Sequence, residues 1–287
     1  MTTFRDFQIR FSIPHGVVPY YQQILNLEHP EELCYELLGR LKVNEVIVSP
    51  DEFLPSLVRT PLMAKFDREM LRLAIAQCAV WADEERFVHL HVNASAQTLL
   101  QSTYASFVKE LLSRYQVDPQ YLTIEVIETC TFWKSRATLR TLKELRRLGV
   151  KIAIDDFPCW ENPQDLLEWL RDRNNKGAVQ TIKLDRSLVN AACGYDVTGK
   201  EIDEAESISH MMKLVRYTNF AKGLGLEVVA EGVKDEEQMV TMQMCGIELL
   251  QGYGISKPMP VEELNLLNHQ PHHQSPVENW VTSLAKI

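Results

Sequence analysis

A repeated β/α fold closed into an eight-stranded barrel is what this sequence predicts, on three observations. Short apolar runs rich in β-branched residues alternate with longer segments whose apolar residues recur at helical spacing. The runs number about eight, the count that closes such a barrel. Nearly every run also ends in an acidic residue or an amide. In parallel β/α folds the strand ends converge on one face, where loops build the site.

The first strand is VVPYYQQIL, residues 17–25, followed by an acidic turn from Glu28 to Glu32. CYELLGRL, around Glu36, is the second. At SPDEF a helical stretch opens, with Ser49 placed to cap and Pro50 at the first helical position. A longer helix follows over about 63–83, its stripe marked by Met70, Leu71, Ile75 and Val80. Strand and helix then alternate: FVHLHVNAS, a helix over 97–115, LTIEVIE, a helix over 134–148, and VKIAIDDF. A helix over 163–171, TIKLDRS, a helix over 206–224, EVVAEGV, a helix over 235–244 and ELLQGYGIS complete the series. No linker rich in Pro, Gly or Ser divides the chain. One domain is therefore expected over 1–287, with its core over about 17–262 and a tail over 263–287. Residues 190–206 form the one long polar connection, read as a surface loop or as a lid or partner contact.

Composition narrows the function. A formal net charge of −9 argues against a nucleic-acid polymer as partner, since such binding favours a basic face. It leaves a small phosphorylated ligand open, because bound divalent cations reverse the local sign of a carboxylate cluster. The six cysteines (34, 78, 130, 159, 193 and 245) are scattered without a CxxC pair, so they read as reduced thiols. The N-terminal MTTFRDFQIRF has no apolar signal core, and no run approaches the length of a membrane helix. The expected location is cytoplasmic, with no membrane insertion.

Carboxylates at strand ends are costly to bury unless paired or bound to metal. Salt bridges could account for any one of Glu125, Asp155 and Asp156. They account poorly for the set, since the basic residues at matching strand ends are only Arg40, Lys183 and Arg186. The surplus of acid calls for external cations. Glu, Asn and Asp without His or Cys ligands are hard donors, suited to Mg²⁺ or Mn²⁺. Adjacent Asp155 and Asp156 reach one cavity if the strand's alternation breaks there, and one of them then bridges two metals. A metal pair of that kind implies phosphodiester hydrolysis. Lys183 among carboxylates stays protonated and suits a clamp better than a base. Asp185 is read as a partner of Arg186 or Lys183, and Gln22 and Gln251 either touch ligand or satisfy backbone groups.

Taken in order, YYQQI, YELLGR, HVNAS, IEVIE, IAIDDF, IKLDRS, VVAEGV and LLQGYGISKPMP resemble the EAL domain, the bacterial cyclic di-GMP phosphodiesterase family, over about residues 17–262. Leu37 stands where the signature has alanine. The resemblance implies a TIM-like (β/α)₈ barrel whose first strand runs antiparallel to its neighbours. It implies two divalent cations, Mg²⁺ or Mn²⁺, held by Glu36, Asn93, Glu125, Asp155 and Asp156, with Glu231 near the second ion. Lys183 would hold the attacking water and Glu231 would be the general base. Gln22, Arg40 and Gln251 would contact cyclic di-GMP, and Glu128 would tether the loop after the fifth strand. A homodimer or a regulatory protein partner belongs to the same expectation.

Besides Leu37, the chain departs from the family pattern at three places. PCWENPQ, from Pro158 to Gln164, replaces the glycine-rich loop after Asp-Asp-Phe, and Pro158 removes a backbone donor there. Lys234 replaces a glutamate, and Gln23 replaces the proline of the opening strand. Two function classes follow: a metal-dependent enzyme linearising cyclic di-GMP to pGpG, or a module that binds the nucleotide or a protein without turnover. Retained Lys183 and Glu231 favour the enzyme. Pro158 and Trp160 favour the receptor or a differently regulated enzyme.

Overall fold

The computed structural model describes residues 15–58, 60–127, 134–158 and 163–268. Its strands are β1 (Val17–Asn26), β2 (Leu33–Val43), β3 (Val46–Val48), β4 (Val88–Ala94), β5 (Leu122–Ile127), β6 (Lys151–Phe157), β7 (Thr181–Leu184), β8 (Glu227–Ala230) and β9 (Leu249–Gln251). They order as β1-β9-β8-β7-β6-β5-β4-β2-β3, and β1 pairs with β2 to close the ring. The eight-stranded barrel is therefore closed, with β3 folded back outside it. β1 is antiparallel to both neighbours and the remaining barrel pairs are parallel, as expected.

Strand alternation divides the side chains. Leu90, Val92, Ile124, Val126, Ile152, Ile154, Ile182, Leu184, Val228 and Ala230 are buried in the continuous apolar core. The alternate positions carry His91, Asn93, Thr123, Glu125, Asp155, Thr181 and Lys183, which point into the barrel. Helix starts follow capping chemistry. Thr60 accepts from Leu62 N ahead of Pro61–Asp83, Ser135 from Thr138 N ahead of Arg136–Leu148, and Asp235 from Gln238 N ahead of Glu236–Met244.

Several local expectations are corrected. Pro50–Leu57 is helical, but the Ser49 side chain makes no capping bond; Pro50 at the first turn and acidic Asp51 and Glu52 favour the start instead. The helix expected over 97–115 is two, Ala96–Leu99 and Tyr104–Tyr115. The short one is locked at its start by Asp67, whose Oδ2 accepts from Ser95 N at 2.9 Å and Thr98 Oγ1 at 2.6 Å. β3 was not anticipated: Asn44 and Glu45, with φ of 48° and 66°, turn the chain back into a tight hairpin. The long connection is shorter than read, because Arg186–Ala192 and Glu204–Gly223 are helices that take its two ends. Asp185 makes no ion pair with Lys183 or Arg186 among the described residues. It caps Arg186–Ala192, accepting from Ser187 N at 2.8 Å and from the Ser187 hydroxyl. Val261–Asn268 is also helical, with Leu264 buried and Asn265 Oδ1 accepting from Trp81 Nε1 at 3.3 Å. Cys34, Cys78, Cys193 and Cys245 are free thiols. Among the described residues no helix is long and apolar enough to cross a membrane.

Candidate active site

At the C-terminal mouth, strands β2, β5, β6, β7 and β8 bring four carboxylates around one ammonium. Lys183, on β7 and wholly buried, lies 3.0 Å from Glu36, 3.1 Å from Glu125, 3.0 Å from Asp155 and 2.6 Å from Glu231. These residues are far apart in sequence and meet because each lies on, or directly follows, a parallel-paired barrel strand with its side chain turned inward.

Asp156 joins them through a backbone irregularity. The β6–β7 register shifts between Ile154 and Phe157, and Asp156 adopts φ +56°. That left-handed conformation is disfavoured for most side chains but tolerated by aspartate. It breaks the two-residue alternation, so adjacent carboxylates serve one cavity. The following Phe157–Pro158 peptide bond is cis.

Hydrogen bonds orient the cluster. Glu36 Oε1 accepts from Asn93 Nδ2 at 2.7 Å, leaving the Asn93 carbonyl oxygen for an ion. Glu36 Oε2 accepts from Lys183 and, at 2.7 Å, from Gln251 Nε2. Gln251 Nε2 also reaches Gln22 Oε1 at 3.2 Å, while Gln22 Nε2 donates to the Ser256 carbonyl at 3.0 Å. Gln22 thus does satisfy a backbone group, and both glutamines stand beside Glu36. Gln23, in place of proline, uses the N–H that proline lacks to donate to Ser256 Oγ at 3.0 Å. Arg40 lies farther along β2, half-buried, with its guanidinium 5.1 Å from the Tyr20 ring and no carboxylate partner among the described residues. Glu128, Cys130, Cys159 and Trp160 lie outside the described residues.

The electrostatics are those of an over-charged cavity. Burial, then the charge of Glu36, pushes Glu125 well above its ordinary range, and burial raises Asp155 and Glu231. Asp156 is pushed up to about 6 by burial and by Asp155 and Asp185. Burial opposes ionisation of Glu36 too. There the Lys183 charge and hydrogen bonds from Gln251, Lys183 and Asn93 win, holding it below the usual value. Burial alone would discharge Lys183; Asp155, Glu125, Glu231 and Glu36 instead hold it as an ammonium. Five acids against one ammonium leave a charge deficit that a cation would fill.

Two groups could each hold one. Oxygens of Glu36, Glu125 and Asp155 lie within 4.8 Å of one another, as do those of Asp155, Asp156 and Glu231. Asp155 belongs to both and is in position to bridge. The donors are all hard, and the buried Gln251 Oε1 beside them has no partner among the described residues. This donor set fits hard divalent cations.

Two contributors were missed in the sequence. His91 Nδ1 sits 2.8 Å from Glu125 Oε1, and alternation counted back from Asn93 would have put His91 and His89 inside the barrel. Asp67, fixing the chain that leaves Asn93, shares a helical stripe with Met63, Met70, Leu71 and Ala74, all buried.

Comparison with known proteins places the fold and the family. The family model described as the EAL domain matches residues 10–258. The chain is 30% identical over 256 residues to the probable cyclic di-GMP phosphodiesterase PdeA of Escherichia coli K12, covering 89% of this chain and 32% of that protein. It is 27% identical over 259 residues to the bifunctional diguanylate cyclase/cyclic di-GMP phosphodiesterase MucR of Pseudomonas aeruginosa, covering 90% and 33%. The chain thus spans about a third of the length of these curated relatives. Among solved structures, the PaMucR phosphodiesterase in complex with c-di-GMP superposes with a TM-score of 0.76 at 26% identity, covering 90% of this chain and 98% of that one. The Xanthomonas citri FimX EAL domain, also in complex with c-diGMP, gives 0.74 at 22% identity, covering 89% and 94%, a likeness of fold. A closed barrel with one antiparallel strand, acids gathered at its C-terminal mouth and a family match across most of its length lead to one assignment: this chain belongs to the EAL domain family.

Proposed function

We propose that this barrel hydrolyses cyclic di-GMP to linear pGpG with two divalent cations, Mg²⁺ or Mn²⁺. The observation that carries the reading is the burial of Lys183 among Glu36, Glu125, Asp155 and Glu231, with Asp156 turned towards the same cavity. Glu36, Asn93, Glu125 and Asp155 would hold one ion; Asp155, Asp156 and Glu231 would hold the other. When bound, the pair neutralises phosphate oxygens and acidifies water at neutral pH.

The chain's own residues supply the rest. Lys183, kept charged, donates hydrogen bonds that orient the attacking water and stabilise negative charge developing on the phosphoryl group. Glu231, which lies 2.6 Å from Lys183 and whose carboxyl burial raises well above its ordinary range, would take the proton from that water. Arg40 offers a planar fork to the phosphate, and Gln22 and Gln251 offer amide groups to the nucleotide. Glu128 would support the loop that follows β6, the fifth strand of the barrel. A cytoplasmic setting, and a homodimer or a regulatory protein as partner, belong to the same proposal.

Incubating the purified chain with cyclic di-GMP and Mn²⁺ or Mg²⁺, with products separated by anion exchange, tests it. Metal-dependent appearance of pGpG is the expected result. Tight nucleotide binding without turnover would replace the enzyme with a receptor, and the absence of both would remove the reading altogether.

A further inference from the structure

The barrel has a second mouth. At the N-terminal ends of the strands lies a cavity of about 630 Å³, within the size range of small-molecule sites. Cys34, His91, Thr181, Val229 and Leu249 line it, each two residues before Glu36, Asn93, Lys183, Glu231 and Gln251. Strand alternation therefore makes the two cavities neighbours through one layer of side chains. His91 is the shared wall, lining the lower cavity while its Nδ1 holds Glu125.

Barrel interiors are ordinarily filled with Val, Ile and Leu. Here the lower layer carries His89, His91, Thr123 and Lys151, a polar filling that costs stability unless it is partnered. Among the described residues most of it is: His89 Nε2 lies 2.7 Å from Thr123 Oγ1, and His91 Nδ1 lies 2.8 Å from Glu125 Oε1. Lys151 has no carboxylate partner among the described residues, although its charge acts on Cys34, His89 and His91. At the rim, Phe87 is 62% exposed and stacks on Tyr121, with ring centroids 5.8 Å apart. Phe87, Tyr121 and Lys151 enter three adjacent strands, β4, β5 and β6.

We propose that this N-terminal mouth is a second ligand site, for a small aromatic anion whose acid group meets Lys151 and whose ring lies against Phe87 and Tyr121. Glu31, Glu32, Glu85 and Glu227 also line the cavity, with Arg86 beside them, so the opposite charge preference has to be tested directly.

Benzoate, phenyl phosphate, inorganic phosphate and benzamidine are titrated separately into the full chain, followed by NMR of the His91 and Phe87 side chains. Saturable binding of benzoate, phenyl phosphate or both is expected, and which of them binds identifies the acid group as carboxylate or phosphate. Lys151→Met and Phe87→Ala should each weaken it at least tenfold, leaving cyclic di-GMP affinity unchanged; the exposed Phe87 provides a variant that does not disturb the interior. Inorganic phosphate binding as tightly as phenyl phosphate would overturn the aromatic requirement. Preference for benzamidine would overturn the charge assignment. Binding untouched by both substitutions would overturn the site. None of these readouts uses hydrolysis, so failure here is separate from failure of the phosphodiesterase reading.

Discussion

At the C-terminal mouth, Glu36, Glu125, Asp155 and Glu231 converge on buried Lys183; one layer down the same strands, half-buried His89 and buried His91 face a cavity with Lys151. Both layers are desolvated, and burial opposes charge in each. In the upper layer opposite charges are within 3.1 Å, so Lys183 keeps its proton and Glu36 loses its own. In the lower layer nothing among the described residues offsets burial in this way, even though Glu125 Oε1 lies 2.8 Å from His91 Nδ1. Burial, helped by Lys151, pushes His89 down to about 3; burial, then His89 and Lys183, holds His91 well below its ordinary range. Desolvation is thus common to the two mouths. What separates them is compensation: four carboxylates outweigh burial at Lys183, whereas the cations around His89 and His91 add to it.

The comparison can be broken most severely at Asp155, which belongs to both candidate metal groups. Asp155→Asn should reduce turnover by more than about 10²-fold, beyond the usual cost of altering a ligand's supporting partner, and should weaken Mn²⁺ binding. An unchanged Mn²⁺ titration would take Asp155 out of the ligand set. Glu231→Gln comes next. It should slow hydrolysis by about 10²-fold while sparing most of the nucleotide affinity, as expected for loss of a general base. Intact kcat in this variant would assign the base elsewhere.

His91 links the layers, and its effect should be smaller. His91→Phe removes the Nδ1 contact to Glu125 and should lower Mn²⁺ affinity by about tenfold. His91→Asn, which keeps a donor near the same position, should recover part of the loss. Equal affinities in the two variants would reduce His91 to packing.

The mildest expected effect is a pH trend. Asp156 rises from 3.8 to about 6 in the folded, metal-free chain, so the native state binds the extra proton. That contribution to stability is fully present below pH 3.8 and is lost as pH rises through about 6. The metal-free melting temperature should therefore fall across this window, and the slope should flatten in Asp156→Asn. Mn²⁺ should stabilise more at the upper end, because the same carboxyl must be deprotonated to bind it. A melting curve with no such slope would show that Asp156 titrates normally.

Much of the upper site was legible because apolar strands ending in Glu125, Asp155–Asp156 and Glu231 are local patterns, and the parallel fold sends them to one rim. The split at Leu100–Thr103 was not legible. The capping contact from Asp67 spans 28 residues to Ser95 and leaves no periodicity behind. Asp185 was misread for a related reason. A carboxylate next to arginine suggests an ion pair, whereas the backbone N–H groups at the start of Arg186–Ala192 offer nearer donors. His91 was overlooked although its parity with Asn93 was visible, because a lone histidine between apolar residues carries no sign of what it faces.

By itself the sequence determined the alternation of strands and helices, the closed barrel, and the identity and order of the acids at its mouth. These follow from hydrophobic period and from the chemistry of single residues. Tertiary structure alone decided that Lys183 is shared by four carboxylates, that Asp156 leaves the strand's alternation, and that a polar cavity lies beneath the acidic one. Each depends on distances between strands remote in sequence, and on a dielectric environment that exists only once the barrel has closed.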